Sequence, residues 1–236
     1  MKKTFSAYCG VFLVVTIALA IALAVYPKAE LHLAANSFHT PFLDWLFRHY
    51  TLFAEFPVYV VAILPLLFFR AGWTYMYAIA ELLNGFATLA LKHIFSAPRP
   101  SAFFANLGIE LPTVEGVVLR HSNSFPSGHT ATFFVFFTMC ALLLCYYKKN
   151  DAKRFCLFSC MIILIILAYM GGFSRIYLSQ HFLSDVFTGS IIGFIMPCIV
   201  FGLFYRKQWL DKEWFNRSLF GYNAYFKRKF ASSINN

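Results

Sequence analysis

CLFSCMIILIILAYMGGF, residues 156–173, holds eighteen residues without one charge, preceded by Lys153-Arg154 and followed by Ser174-Arg175. A run of this length and character reads as a segment that crosses a bilayer. In hydrocarbon the backbone has to satisfy its own hydrogen bonds, so the segment is a helix. Five further runs of the same kind lie at about 7–26, 52–69, 74–95, 128–147 and 186–205. The expected architecture is all-α: an integral membrane bundle of six transmembrane helices with short interfacial helices, forming one domain over residues 1–236.

Composition agrees with that reading. The chain is 60% hydrophobic and 20% aromatic, with 30 Phe and 13 Tyr, and only 13% of it is charged. A soluble domain carries about a quarter charged residues. Lys2 and Lys3 before an apolar run imitate a secretory signal peptide, but the run at 7–26 exceeds the usual h-region of about 7–15 residues. A retained helix is expected. The six cysteines (Cys9, Cys140, Cys145, Cys156, Cys160, Cys198) fall inside apolar runs and are read as small buried hydrophobes. No paired metal-ligand motif accompanies them, so no metal and no cofactor is expected.

The formal net charge of +10 poses a question that placement answers. With the N-terminus in the cytoplasm, the inner side holds Lys2, Lys3, Arg70, Lys148, Lys149, Lys153, Arg154, Arg206, Lys207, Lys212, Arg217, Lys227, Arg228 and Lys229, 14 of the 20 Lys and Arg. Lys28, Arg48, Lys92, Arg99, Arg120 and Arg175 fall outside. Positive residues concentrate on cytoplasmic loops, so the charge describes topology rather than a nucleic-acid surface. Both termini are expected in the cytoplasm of a multi-pass inner (cytoplasmic) membrane protein, with no nucleic acid and no obligate protein partner.

Two stretches read as interfacial. Phe42, Trp45, Leu46 and His49 recur at helical spacing after Pro41, with Asp44 and Arg48 four apart on the polar side. From Trp209 onward, Trp209, Trp214, Phe215 and Phe220 mix with basic residues, which suits an anionic inner leaflet.

Three clusters remain, and all fall on the outer side. Lys92 through Arg99-Pro100 ends the third span, Pro126-Ser127-Gly128-His129 precedes the fourth, and Ser174-Arg175 through His181 and Asp185 joins the fifth to the sixth. Lys92, Arg99 and Arg175 are three cations near lipid, two with forks that bind phosphate oxygens in pairs. Charges there are expensive, so unmatched cations imply an anionic ligand. Gly128 lets a phosphate approach the backbone, and Ser127-Gly128 opens a helix whose free N–H groups suit it. His181 and Asp185, four apart, share a face if the sixth helix begins near them. A carboxylate on one ring nitrogen leaves the other free to attack phosphorus, and His129 is then available as proton donor.

The patterns K-x6-R-P, P-S-G-H and S-R-x5-H-x3-D, at residues 92–185, resemble the type 2 phosphatidic acid phosphatase (PAP2) family, and no position departs from them. The resemblance implies a phosphohistidine on His181 oriented by Asp185, and protonation of the leaving group by His129. It also implies phosphate binding by Lys92, Arg99, Ser127, Gly128 and Arg175, without metal. The expected substrate is an outer-leaflet lipid phosphate of the undecaprenyl diphosphate or lipid A type, met on the outer, periplasmic face. Phosphatidate and phosphatidylglycerophosphate stay open. A vanadium haloperoxidase, a transporter and a non-catalytic anion-binding membrane protein are the competing readings. Arg120, His121, His93 and Asn123 lie near the same face as candidate contacts, and Glu81 and Asn84 sit inside the third span, where packing and groove-lining roles both fit.

Overall fold

The computed structural model describes residues 2–147, 154–219 and 221–222. Lys148, Lys149, Lys153, Lys227, Arg228, Lys229 and Phe220 therefore lie outside the described residues. The elements are helices α1 (Lys2–Val25), α2 (Lys28–Ala35), α3 (Pro41–Tyr50), α4 (Phe56–Ile63), α5 (Ala71–Phe95), α6 (Pro100–Ala105), α7 (Gly128–Tyr147), α8 (Arg154–Tyr177), α9 (Leu183–Arg206) and α10 (Glu213–Asn216). A two-residue hairpin pairs Arg217 with Tyr222 near the chain's end. Helices α1, α5, α7, α8 and α9 are each long and apolar enough to cross a membrane.

The second expected span, 52–69, is broken. Residues 41–54 and 56–68 form two helical pieces that meet at 69°. Proline explains the break: Pro57 brings no N–H and its ring clashes with the carbonyl four residues back, so a helix cannot run through this point. Pro65 acts likewise further on, and residues 64–68 tighten into a 3₁₀ turn. Glu55 stands at the corner in extended conformation.

Helix α7 is the axle of the bundle, packed against α5, α8 and α9. Small residues let the backbones approach, as they do in membrane helix pairs generally. A Cβ on Gly189 would stand 2.5 Å from the Ser127 carbonyl oxygen, and one on Gly193 would collide with that of Ala131. These two glycines, four apart on α9, seat its first turns against the start of α7. The antiparallel order then brings the C-terminal ends of α5 and α8 beside the N-terminal ends of α7 and α9. All three chemical clusters meet there.

Two local expectations change. Asp44 and Arg48 on α3 do not pair with each other. Asp44 accepts from the Tyr177 hydroxyl at 2.5 Å and contacts His39 Nδ1 at 2.9 Å, while Arg48 donates to the Glu115 carbonyl at 2.8 Å. Asp44 reaches in to Tyr177 and Arg48 reaches across to the loop after α6, while Arg48 itself stays exposed. Phe42 and Trp45 remain outward. At the other end, Phe215 is fully buried against Gly72 of α5, so this part of the tail folds under the bundle rather than lying free on a leaflet.

Candidate active site

Lys92, the last charged residue of α5, reaches a cavity of about 450 Å³ together with Arg99, His129, Arg175 and His181. Each arrives from a different segment, and local sequence fixes each arrival. Helix α5 stops just past Lys92, where Ser96 takes a left-handed conformation and its N–H donates to the Lys92 carbonyl at 3.0 Å. Arg99 precedes Pro100, which holds it extended and starts α6. Ser127 caps α7, its Oγ accepting from the Thr130 N–H at 3.3 Å, so His129 occupies the second helical position.

Arg99 is almost wholly buried. Its Nε donates to the Ser122 carbonyl at 2.9 Å, and one terminal nitrogen reaches both the Gln180 carbonyl and its side-chain oxygen at 3.1 Å. Arg175 donates to Thr51 Oγ1 at 2.5 Å, while its buried Nε has no partner. Among the described residues, no carboxylate lies within salt-bridge distance of Lys92, Arg99 or Arg175. Buried cations without matching carboxylates are costly unless an anion completes them.

His181 is 1% exposed and its Nδ1 stands 3.4 Å from Asp185 Oδ2. The spacing of four works here by a route other than a shared helix face. His181 lies before α9, its N–H bonded to the Arg175 carbonyl at 3.1 Å. Phe182 caps α9, and Asp185 reaches back from the first turn to accept the Phe182 N–H at 3.0 Å. The same carboxylate oxygen accepts from Ser124 Oγ at 2.5 Å. Burial, reinforced by Arg99 and Arg175, pushes the His181 imidazole down to about 3 against the pull of Asp185. A neutral ring with one nitrogen turned to a carboxylate is a nucleophile at physiological pH.

Ser127 and Gly128 stand at the head of α7 outside the walls of this cavity, with the Ser127 hydroxyl engaged in capping. Gly128 instead borders, with Lys92, an apolar groove of about 750 Å³ that runs between α4 and α5 past Leu89, Gly85 and Ile63. Glu81 combines the two roles open to it. It bridges α5 to α7 by accepting from Thr132 Oγ1 at 2.6 Å and Asn84 Nδ2 at 3.2 Å, and it lines the groove. Arg120 lines the same cavity as Lys92 and His181; His121 contacts Ser101 Oγ and, through its carbonyl, holds the Arg99 N–H.

Three polar residues on the wall are not marked by the sequence patterns: Thr51, Glu55 and Gln180. Glu55 Oε1 lies 3.1 Å from His129 Nε2. The signal for it was present, since one ionisable residue inside the apolar run 52–69 is a functional candidate by default.

The profile of the PAP2 superfamily matches residues 71–209, and the chain belongs to that superfamily. It is 29% identical over 164 residues to lipid phosphate phosphatase 1 of Arabidopsis thaliana, a match covering 63% of this chain and 47% of that protein. It is 28% identical over 163 residues to lipid phosphate phosphatase 2 of the same plant, covering 62% and 53%. The chain thus spans about half the length of the curated relatives it matches. Among solved structures, Aquifex aeolicus LpxE superposes with a TM-score of 0.59 at 28% identity, covering 73% of this chain and 93% of that one. A transmembrane PAP2 type phosphatidylglycerolphosphate phosphatase from Bacillus subtilis superposes with a TM-score of 0.62 at 22% identity, covering 87% and 98%. The fold is that of a multi-pass membrane protein of this superfamily.

Proposed function

We propose that this protein is a membrane lipid phosphatase working through a covalent phosphohistidine. One observation carries the reading: Lys92, Arg99 and Arg175 line a single cavity with His129 and His181, and among the described residues no carboxylate lies within salt-bridge distance of the three cations. A phosphoryl group supplies the missing negative charge. As the reaction proceeds, the preplaced cations meet charge on the transferring group without having to reorganise.

In the first half, the ring nitrogen of His181 turned away from Asp185 attacks phosphorus. A P–N bond forms as the P–O bond to the leaving group breaks, and His129 gives its proton to the departing oxygen. Asp185 stabilises the positive ring that develops. In the second half, His129 takes a proton from water, which attacks phosphorus, frees phosphate and returns His181. Ser127 and Gly128 are assigned to the phosphate through the α7 backbone rather than through a side chain.

The apolar groove that begins at Lys92 and Gly128 supports a substrate with a hydrocarbon tail lying beside α5. The charge distribution supports a site facing away from the cytoplasm, with both termini inside and the bundle in an inner membrane. The substrates that suit this side are an undecaprenyl diphosphate type lipid and a lipid A type phosphorylated sugar head, with phosphatidate and phosphatidylglycerophosphate as the second choice. Phosphate release from these four in mixed micelles, with His181→Ala as control, tests the reading. Release from at least one that disappears in the variant supports it; release from none, or equal release by the variant, refutes it.

A further inference from the structure

We infer that Glu55 is a positioning residue for the leaving-group acid, acting through His129, and that the pair suits a phosphate monoester of an unactivated alcohol. This rests on the phosphatase reading above.

Glu55 falls outside the matched residues 71–209 and comes from the corner between α3 and α4. At the first position before α4 its carboxylate is well placed to cap that helix, where an N-terminus favours negative charge. It makes no such bond. The side chain instead turns into the cavity and meets His129 Nε2 at 3.1 Å. Glu55 is the one carboxylate among the described residues on the cavity wall.

His129 has to carry a proton when the P–O bond breaks, yet Lys92, Arg120 and Arg175 surround it with like charge, and His181 faces it as a further titratable ring. Glu55 supplies the offsetting negative charge and fixes the ring by holding Nε2, which leaves the other ring nitrogen to carry the transferable proton. The site then holds two carboxylate–imidazole pairs. Asp185–His181 delivers the electron pair to phosphorus, and Glu55–His129 delivers the proton to the leaving oxygen.

An alkoxide leaves poorly unless it is protonated as the bond breaks. An aryl oxide or a phosphate leaves with little help, and an anionic leaving phosphate is repelled by the Glu55 carboxylate. The pair therefore matches an alkyl or sugar phosphate monoester, and among the substrates proposed above it selects the lipid A type head, phosphatidate and phosphatidylglycerophosphate against the undecaprenyl diphosphate type.

The full-length protein in mixed micelles tests this with three substrates: phosphatidate, a short-chain isoprenyl diphosphate and p-nitrophenyl phosphate. Glu55→Gln is expected to lower kcat on phosphatidate by about tenfold to a hundredfold, within what general acid catalysis contributes. That loss should exceed the loss on each of the other two substrates by at least about fivefold, and Glu55→Asp should recover most of it. The wild type should favour phosphatidate over the diphosphate in kcat/KM. Equal losses on all three substrates, no loss on phosphatidate, or a wild-type preference for the diphosphate overturns the inference. His181→Ala separates the two levels: if that variant is inactive while Glu55→Gln shows uniform losses, the phosphatase reading stands and this inference falls.

Discussion

Asp185 Oδ2 serves His181 and Ser124 at once, lying 3.4 Å from His181 Nδ1 and 2.5 Å from Ser124 Oγ. A third donor, the Phe182 N–H, reaches the same oxygen at 3.0 Å. The carboxylate is thus fixed by the start of α9 and by the loop before α7 before any substrate arrives. Its orientation does not depend on the histidine it directs.

Asp185→Asn keeps the shape and removes the charge. The ring of His181 loses both its enforced tautomer and the partner for its developing positive charge, as in carboxylate–histidine hydrolases, where the loss in kcat is about 10⁴. A fall of about 10²–10⁴ in kcat is expected here, with KM changed far less, measured as phosphate release under saturating lipid. A loss confined to KM contradicts the assignment.

Arg175→Lys keeps a positive charge and loses the fork. The buried Nε that lacks a partner and the nitrogen on Thr51 belong to one rigid plane, which an ammonium cannot reproduce. We expect kcat/KM to fall by about 10²-fold or more, a loss comparable to removing one preorganised donor from an oxyanion site. Thr51→Ala, which frees the guanidinium, should cost about tenfold or less. Steady-state kinetics on one lipid substrate distinguishes the two.

Gly189→Ala places a methyl 2.5 Å from the Ser127 carbonyl oxygen, on backbone that cannot swing aside. Overpacking of this kind destabilises by about 1–3 kcal/mol. The variant is expected to melt several degrees lower in detergent and to lose activity with it, because the same contact seats Asp185 beside the start of α7. Gly202→Ala, with nothing within 4 Å of the added carbon, is the neutral control.

His32 on α2 is fully buried between Phe104 and Phe182, with both ring nitrogens unpartnered. Burial pushes its imidazole down to about 4. Between the ordinary histidine value and that one, the unfolded chain binds a proton that the folded chain refuses, so stability falls as pH drops through this window. The loss from pH 6.5 to 5 is about 1.5 kcal/mol for such a group. His32→Leu should flatten the fall in melting temperature over that range, read by thermal unfolding in detergent at matched pH.

Much of this was legible in the sequence because its signals are local. Uninterrupted apolar runs marked the spans, and short fixed spacings marked Lys92, Arg99, His129, Arg175, His181 and Asp185. Tertiary partners have no such spacing. Gln180 and Thr51 hold arginines that lie 81 and 124 residues away in sequence, which no local pattern reports. The corner at Glu55 was written in Pro57, yet hydropathy averages over a window and reads 52–69 as one span. The spacing of His181 and Asp185 reports the pair but not its route, because α9 begins after His181 and a residue just before a helix can approach the first turn through its cap. Gly189 and Gly193 looked like ordinary span residues until the approach of α7 gave them a purpose.

The central claim is a covalent bond between phosphorus and His181. Rapid mixing of the enzyme with lipid labelled in its phosphate, quenched in alkali and digested, tests it most directly. Label stable to base and labile to acid on a peptide containing His181, absent from His181→Ala, is the predicted result. Turnover with no label on the protein at any quench time, or label that persists in His181→Ala, contradicts it.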